Sequence, residues 1–286
     1  MKILGTGLQG LIGSRITELL SPKYEFENVS RTMGVDITNK DELSQAIKNS
    51  NADVIFHLAA KSDVDGCEKD KDLGENGDAW RINVLGTQNI ARICEIYNRK
   101  LIYISTDFVF GGEKQFYTEE DIPNPVNWYA KTKYEGEKIV QKLHSSWIIM
   151  RIAYPYRAKC VKNDFVRAIK EKLEKEEQVS MVTDHIMTPT FIDDIALALD
   201  KLCMNDERGI YHVVGSQFIS PYDAATLIAD LFGYNKNLIL ETKRDEFFDG
   251  RARRPFRLAL KNDKIRGLGV TMVTFEEGLR KVKKQL

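Results

Sequence analysis

The chain opens on a short apolar run, "KILGTG", that ends in glycines and passes into the amphipathic stretch "LIGSRITELL". The same alternation continues downstream. "ADVIFHLAA" and "KLIYIST" are near-continuously apolar, and "INVLGTQNIARICEIY" between them carries apolar positions at helical spacing. Apolar runs bounded by turn residues read as strands buried on both faces, with the amphipathic stretches as the helices that cross between them. This β-α-β-α rhythm predicts an α/β fold built on a doubly wound parallel sheet.

Past "SSWIIMRIAYPY" the pattern loosens. It predicts a helix around "DFVRAIKEKLEKEEQ", a strand "VSMV", a proline-marked turn "HIMTPT", a helix "DDIALALDKL" and a strand "GIYHVVG". Ser220-Pro221 opens a further helix, and Thr274 with Glu277 three residues on is the capping box of the last one. There is no repeat, no low-complexity tract and no linker long enough to separate modules. The expected organisation is a first domain over 1–152, with a returning segment around 181–215, and a smaller lobe over 153–286 wrapped onto it.

Composition narrows the function classes. At 286 residues and 43% hydrophobic content the chain can bury a large core. Forty-two basic side chains balance forty-two acidic ones, so no global field recommends nucleic acid or an anionic membrane as a partner, and any anion site must be local. Cys67, Cys94, Cys160 and Cys203 form no C-x-x-C pair and have no histidine at metal spacing, so they read as free thiols and no metal site is expected. The first residues lack the apolar run of a signal peptide or membrane anchor, and the expected compartment is the cytoplasm.

The opening glycines fit two fingerprints. Gly5, Gly7 and Gly10 spell G-x-G-x-x-G, while Gly7, Gly10 and Gly13 spell G-x-x-G-x-x-G. Either frame lets amides at a helix N-terminus approach a pyrophosphate without a Cβ in the way. At the tip of the second strand, where an NAD enzyme usually places an acid, stand Ser30 and Arg31. A guanidinium there suits a 2′-phosphate and favours NADPH over NADH, with Glu27 as the acid if that strand ends earlier.

Further on, "NWYAKTKYEGEK" sets Tyr129 and Lys133 four apart on a predicted helix, hence on one face. A phenol needs a nearby ammonium before it can work as an acid or base at neutral pH. The strand "LIYIST" ends in Ser105 and Thr106 at the edge where ligands bind in such sheets, so a hydroxyl there can meet a substrate carbonyl beside Tyr129. These partners select the frame of Gly7, Gly10 and Gly13.

With these pieces in order, the chain resembles the extended short-chain dehydrogenase/reductases over nearly its whole length. The matching segments are "TGLQGLIG", "DIT" at Asp36 to Thr38, "ADVIFHLAA", "INVLGTQNI", "STDFVFGG", "YAKTKYEGEK" and "PTFIDDIA". Within that superfamily "ISTDFVF", "NPVNWYAKTKYEGE", "TPTFIDDIA" and "RRPFRLALKNDKI" are most similar to the dTDP-4-dehydrorhamnose reductase family. The resemblance implies a coenzyme-binding first domain, a substrate-binding second lobe, and an NADPH-dependent reduction of a nucleotide-linked 4-keto-6-deoxy sugar.

It implies Thr106, Tyr129 and Lys133 as the catalytic triad. Thr6, Gly7, Gly10, Leu11 and Ile12 would wrap the pyrophosphate, Asp36 and Ile37 would flank the adenine, Ala59, Ala60 and Lys61 would line the ribose, and Asn83 would be structural behind them. Asp107, Phe108 and Tyr154 would face the substrate, Tyr154 standing where the family usually has a tryptophan. Phe108 occupies the place of the glutamate used by sugar-nucleotide dehydratases, which disfavours dehydration. In "GRARRPFR", Arg251, Arg253, Arg254 and Arg257 read as a clamp on the substrate diphosphate or as a solvated basic loop, with Arg254 and Arg257 the preferred contacts. The acidic residues of the magnesium site described for some family members are not found, so a magnesium requirement stays open, as do NADH as coenzyme and a homodimer. Two rivals remain: a nucleotide-sugar epimerase, and a non-catalytic NADP-binding subunit similar to the regulatory subunit of methionine adenosyltransferase.

Overall fold

A computed structural model describes every residue from Met1 to Leu286. Ten strands follow one another as β1 (Lys2–Thr6), β2 (Glu25–Val29), β3 (Val54–His57), β4 (Lys100–Thr106), β5 (Trp147–Ile152), β6 (Pro155–Tyr156), β7 (Val179–Val182), β8 (Thr190–Phe191), β9 (Gly209–His212) and β10 (Ile239–Thr242). Six of them make one sheet in the order β2-β1-β3-β4-β5-β9, with every neighbouring pair parallel. The order reverses between β1 and β3. At such a switch point the connecting helices diverge to opposite faces and leave a crevice beyond the strand ends, which is where these sheets bind ligands.

Both faces of the sheet are covered, as its apolar strands require. One face packs on Ile16 and Leu20 of the helix Leu11–Leu20 and on Ile195 and Leu199 of the helix Ile192–Met204. The other packs on Leu43 and Ile47 of Lys40–Asn49, on Ile90 and Ile93 of Thr87–Ile96 and on Val140 of Trp128–Gln141. The strand "GIYHVVG" returns to the sheet as β9, and Ile265, Val270 and Met272 also join the first of these cores. A separate core holds Tyr156, Val166, Ile228 and Phe275, gathered by the helices Phe165–Glu174, Pro221–Phe232 and Phe275–Gln285 beside the paired strands β7 and β10. The caps read from the sequence are formed. Ser220 accepts from the Asp223 N–H at 3.0 Å, and Thr274 and Glu277 make both bonds of a capping box.

Two features depart from the sequence pattern. The amphipathic stretch around Asn83 begins as a wide turn of π-helix, Arg81–Gly86, before the α-helix Thr87–Ile96, and the wider turn buries the Asn83 side chain. The helix Lys40–Asn49 has only Leu43 and Ile47 on its buried face, too thin an apolar stripe to mark it in the sequence; it is started by Asn39, which accepts from the Asp41 and Glu42 amides.

The helix Trp128–Gln141 lies unusually close to β4. A Cβ at Gly136 would meet the Tyr103 hydroxyl at 2.5 Å and the Asn83 carbonyl oxygen at 3.1 Å, so glycine sets this approach. Asn127 caps the helix by accepting from the Ala130 N–H at 2.9 Å. A fully buried pair, Arg151 to Glu137 at 2.9 and 2.7 Å, fastens it to β5.

Candidate active site

Past β1 the chain turns through Gly7 with φ +77°, a conformation that favours glycine, and a Cβ there would stand 2.9 Å from the Ala59 backbone nitrogen. Gly13 is equally constrained, since its Cβ would meet the Leu8 backbone at 2.5 Å. Gly10, by contrast, is the N-cap of the helix Leu11–Leu20 with only the Gly7 carbonyl oxygen within contact range. The three glycines thus do different jobs: turn, open cradle and close packing. Gly5 lies inside β1.

Gly7, Gly10, Leu11 and Ile12 line a cavity of about 420 Å³ at the switch point, together with Ala59, Ala60, Thr106, Asp107, Tyr129, Lys133 and Tyr154. A second hollow of about 200 Å³ opens from Gly7, Ala59 and Ala60 toward Ser30, Arg31, Asp36 and Ile37. Together they form a trough with a phosphate cradle between two compartments, the outline of a dinucleotide site. Arg31 is exposed just past the end of β2, while Glu27 within that strand is bonded to Lys2 and to Ser50. Asp36 turns its carboxylate back on Thr38, accepting from its amide and hydroxyl.

Beneath the cradle runs a buried chain of hydrogen bonds. The Ala59 N–H donates to the Thr6 hydroxyl, which is 2.7 Å from His57 Nδ1; His57 Nε2 is 3.0 Å from the Thr87 hydroxyl, which donates to the Asn83 carbonyl. Because the Thr87 proton is committed to Asn83, the order closes only with His57 protonated on Nε2 and accepting at Nδ1. Burial holds His57 neutral, its pKa lowered to about 3. Asn83 in turn accepts from the Lys61 N–H and donates to the Lys61 carbonyl and the Thr132 hydroxyl, which donates to the Tyr129 carbonyl. The cavity floor is thereby tied to the helix that bears Tyr129.

At the reactive end, β4 delivers Thr106 and the helix Trp128–Gln141 delivers Tyr129 and Lys133. The Lys133 ammonium donates to the Ile104 carbonyl at 2.8 Å and lies 4.1 Å from the Tyr103 ring centroid. Burial lowers its pKa to about 7, partly offset by Glu137. Burial raises Tyr129 above the usual phenol range, with the nearby Thr106 hydroxyl working the other way, so the phenol rests in its protonated form. Burial also raises Asp107 to about 7, opposed by the Thr106 hydroxyl that donates to its Oδ1 at 3.0 Å. Two wall atoms, Ser105 Oγ and Asp107 Oδ2, are buried without a partner, as expected of a surface whose hydrogen bonds are completed by a ligand.

The far wall is Tyr154, held at a left-handed φ of +41°. Its hydroxyl is 3.0 Å from His185 Nε2, and His185 Nδ1 is 3.0 Å from the Pro255 carbonyl. A carbonyl can only accept, so His185 is protonated on Nδ1 and its Nε2 accepts the hydrogen bond that the tyrosine hydroxyl donates. Sequence reading missed His185, because nothing local marks it as the partner of a residue thirty-one positions away.

Several expected residues stand elsewhere. Thr6 is fully buried and its hydroxyl is consumed by His57, so it faces no ligand. Lys61 directs its ammonium to Asp70 at 2.6 Å, away from the cavity. Phe108 lies behind the wall, its ring 6.2 Å from Tyr129 and 6.4 Å from Tyr154. The arginine cluster opens on a separate hollow of about 300 Å³, and Asp65 binds Arg251 at 2.7 Å and Arg254 at 2.9 Å. Arg254 is near enough for its charge to act on Tyr154, whereas Arg257 sits in a backbone bridge with Ile186 outside the cavity. The structure gathers no group of three or more His, Cys, Asp or Glu side chains able to hold a metal ion, and no helix is long and apolar enough to cross a membrane.

The family model for the RmlD substrate binding domain matches residues 1–286. The chain belongs to that family. Among its relatives, the dTDP-4-dehydrorhamnose reductase of Aggregatibacter actinomycetemcomitans is 32% identical over 80% of this chain and 78% of its own length. A crystal structure of the dTDP-4-dehydrorhamnose reductase of Bacillus anthracis in complex with NADP superposes with a TM-score of 0.91 at 31% identity, covering 100% of this chain and 99% of that one. The methionine adenosyltransferase 2 subunit beta of Mus musculus is 29% identical over 98% of this chain and 86% of its length. The relatives of this chain thus include both reductases and a methionine adenosyltransferase subunit.

Proposed function

We propose that this chain is an NADPH-dependent reductase of a nucleotide-linked 4-keto-6-deoxy sugar, like the dTDP-4-dehydrorhamnose reductases it matches. The observation that supports this most directly is one cavity lined at once by the glycine cradle and by Thr106, Tyr129 and Lys133. Its open cradle at Gly10 and its unpartnered wall atoms fit a dinucleotide and a keto sugar. Gly7, Gly10, Leu11 and Ile12 would hold the pyrophosphate, Ser30 and Arg31 the 2′-phosphate, and Asp36, Ile37, Ala59 and Ala60 the adenosine. Tyr154, Asp107 and Arg254 would contact the substrate. The division of labour is a coenzyme-binding first domain and a substrate-binding second lobe, in the cytoplasm.

A reduced nicotinamide held in this trough would supply hydride chemistry for the sugar carbonyl carbon. The Tyr129 hydroxyl gives its proton to the carbonyl oxygen as charge develops there, so the alcohol forms with its hydrogen count balanced. The Thr106 hydroxyl holds that oxygen in line. Lys133, fixed by Ile104 and the Tyr103 ring, places positive charge beside the tyrosinate that results and eases proton release. Asn83 keeps the tyrosine helix in register with the cavity floor through Thr132 and Lys61.

The intact triad speaks against the regulatory-subunit reading, and the assay separates the alternatives. Absorbance at the nicotinamide band, followed with a dTDP-4-keto-6-deoxy sugar, should show net oxidation of NADPH. Turnover with only catalytic coenzyme would indicate an epimerase. Tight NADP binding with no turnover on any keto-sugar nucleotide would indicate a binding subunit.

A further inference from the structure

Three charged residues line the cavity: Asp107, Lys133 and Lys162. Lys133 is buried and committed to Ile104 and the Tyr103 ring, and Asp107 is an acid. Lys162 is therefore the one cation left there for an anionic ligand, and nothing assigned above uses it. It also lines a neighbouring hollow of about 1060 Å³ to which Gln9, Ser14, Arg15 and Glu18, in and just before the helix that follows the phosphate cradle, contribute as well. Lys162 thus borders both the cradle cavity and the hollow beside it.

The two guanidinium groups of that hollow are already taken. Arg15 binds Asp193 at 2.7 and 2.8 Å, and Arg157 binds Glu18 at 2.7 Å and Ser14 at 2.9 Å. Lys162, in contrast, is exposed. Its loop is nevertheless built, not loose. The Arg167 guanidinium donates to the carbonyls of Cys160 and Lys162 and, at 2.9 Å, to Asp164; Asp164 also caps the following helix and accepts from the Arg157 N–H. Arg167 is buried, so the fork that grips both carbonyls fixes the backbone on either side of Val161.

We propose that Lys162 binds the coenzyme pyrophosphate from the loop that follows β6, a proposal that rests on the coenzyme reading above. The glycine cradle offers backbone amides and the partial positive charge of a helix N-terminus, roughly half a unit. A pyrophosphate brings two negative charges, and a lysine as point charge offsets most of the remainder. Arg167 is the positioning residue behind it.

The test measures dissociation constants of NADPH and NADH by fluorescence titration for the wild type, Lys162→Ala, Lys162→Arg and, as a neighbouring control, Lys159→Ala. The pyrophosphate is common to both coenzymes. Lys162→Ala should weaken both by the same factor, roughly tenfold for one charge-assisted hydrogen bond at an exposed site, with a shallower salt dependence. Lys162→Arg should recover most of the loss, and Lys159→Ala should change nothing. Unchanged coenzyme affinity in Lys162→Ala overturns the proposal; if the KM for the keto-sugar nucleotide rises instead, Lys162 serves the substrate diphosphate. A loss confined to NADPH also overturns it, by moving Lys162 to the 2′-phosphate. Because the readout needs no turnover, failure to reduce a keto sugar leaves this result standing, whereas a wild type that binds neither coenzyme defeats both readings.

Discussion

At the scale of single residues, the proposed chemistry rests on a phenol that starts protonated and on an ammonium whose charge depends on pH. Removing the Tyr129 hydroxyl with Tyr129→Phe should lower turnover by about 10²- to 10⁴-fold, the usual share of general acid catalysis, while NADPH affinity changes little. Single-turnover NADPH oxidation alongside equilibrium binding checks both halves, and near-full activity in this variant would remove Tyr129 from its role. Lys133 gives a pH prediction. Burial depresses its pKa to about 7, so its charge is present below that pH and lost as pH rises through it. kcat/KM for reduction should therefore decline on the alkaline side of about pH 7. In Lys133→Arg, whose guanidinium does not titrate in this range, the surviving activity should lack that limb. An unchanged limb would assign it to another group.

How far each site residue was legible in the sequence follows from how local its constraint is. Tyr129 and Lys133 share a helix face by spacing alone, and the glycines of the cradle by their interval. Thr6 and Lys61 carried no comparable signal. Their side chains are claimed by His57 and Asp70, at sequence separations of fifty-one and nine, so their positions in the motif said nothing about where their polar atoms point. The setting of the arginine cluster was hidden for the same reason, with Asp65 lying almost two hundred residues upstream of Arg251 and Arg254, which it pairs with.

At the scale of elements, the decisive contact is that of the tyrosine helix with β4. Helix propensity alone predicts that Gly136→Ala stabilises this helix by about 0.5–1 kcal/mol. Packing predicts the opposite, because the new methyl would meet the Tyr103 hydroxyl and the backbone oxygen of Asn83, and overpacking of this kind costs about 1–3 kcal/mol. The clash should win. We expect a net loss of about 1 kcal/mol or more in denaturant unfolding together with reduced turnover, since the same helix sets Tyr129 and Lys133. A stabilised, fully active Gly136→Ala would show that the helix can move off β4 freely. Elements with two-sided apolar runs or explicit caps were readable as such. The helix Lys40–Asn49 was not, because a thin apolar edge on a polar stretch does not stand out until β1, β2 and β3 are in place to receive it.

At the scale of the whole molecule, the switch between β1 and β3 creates one trough, and on the proposed reading what lines its ends sets coenzyme and substrate. The coenzyme end carries Arg31, exposed beyond β2, with Glu27 tied up within the strand. Arg31→Ala should weaken NADPH by roughly tenfold and leave NADH unchanged, because only NADPH has a 2′-phosphate; equal effects on both, measured by fluorescence titration, would place the arginine elsewhere. The parallel order of the sheet and its cover on both faces were legible from strand character. The return of β9 and of Ile265, Val270 and Met272 to the first core was legible only in part, since pairing partners are chosen by the assembled sheet.

The central claim is that cradle and triad act together on a keto-sugar nucleotide. Its most direct measurement is the stoichiometry of NADPH oxidised to dTDP-4-keto-6-deoxy sugar consumed, with the product analysed for a new C4 alcohol. The account predicts one coenzyme oxidised per sugar reduced. Sugar converted without net NADPH oxidation, or NADP bound with no conversion at all, would contradict it.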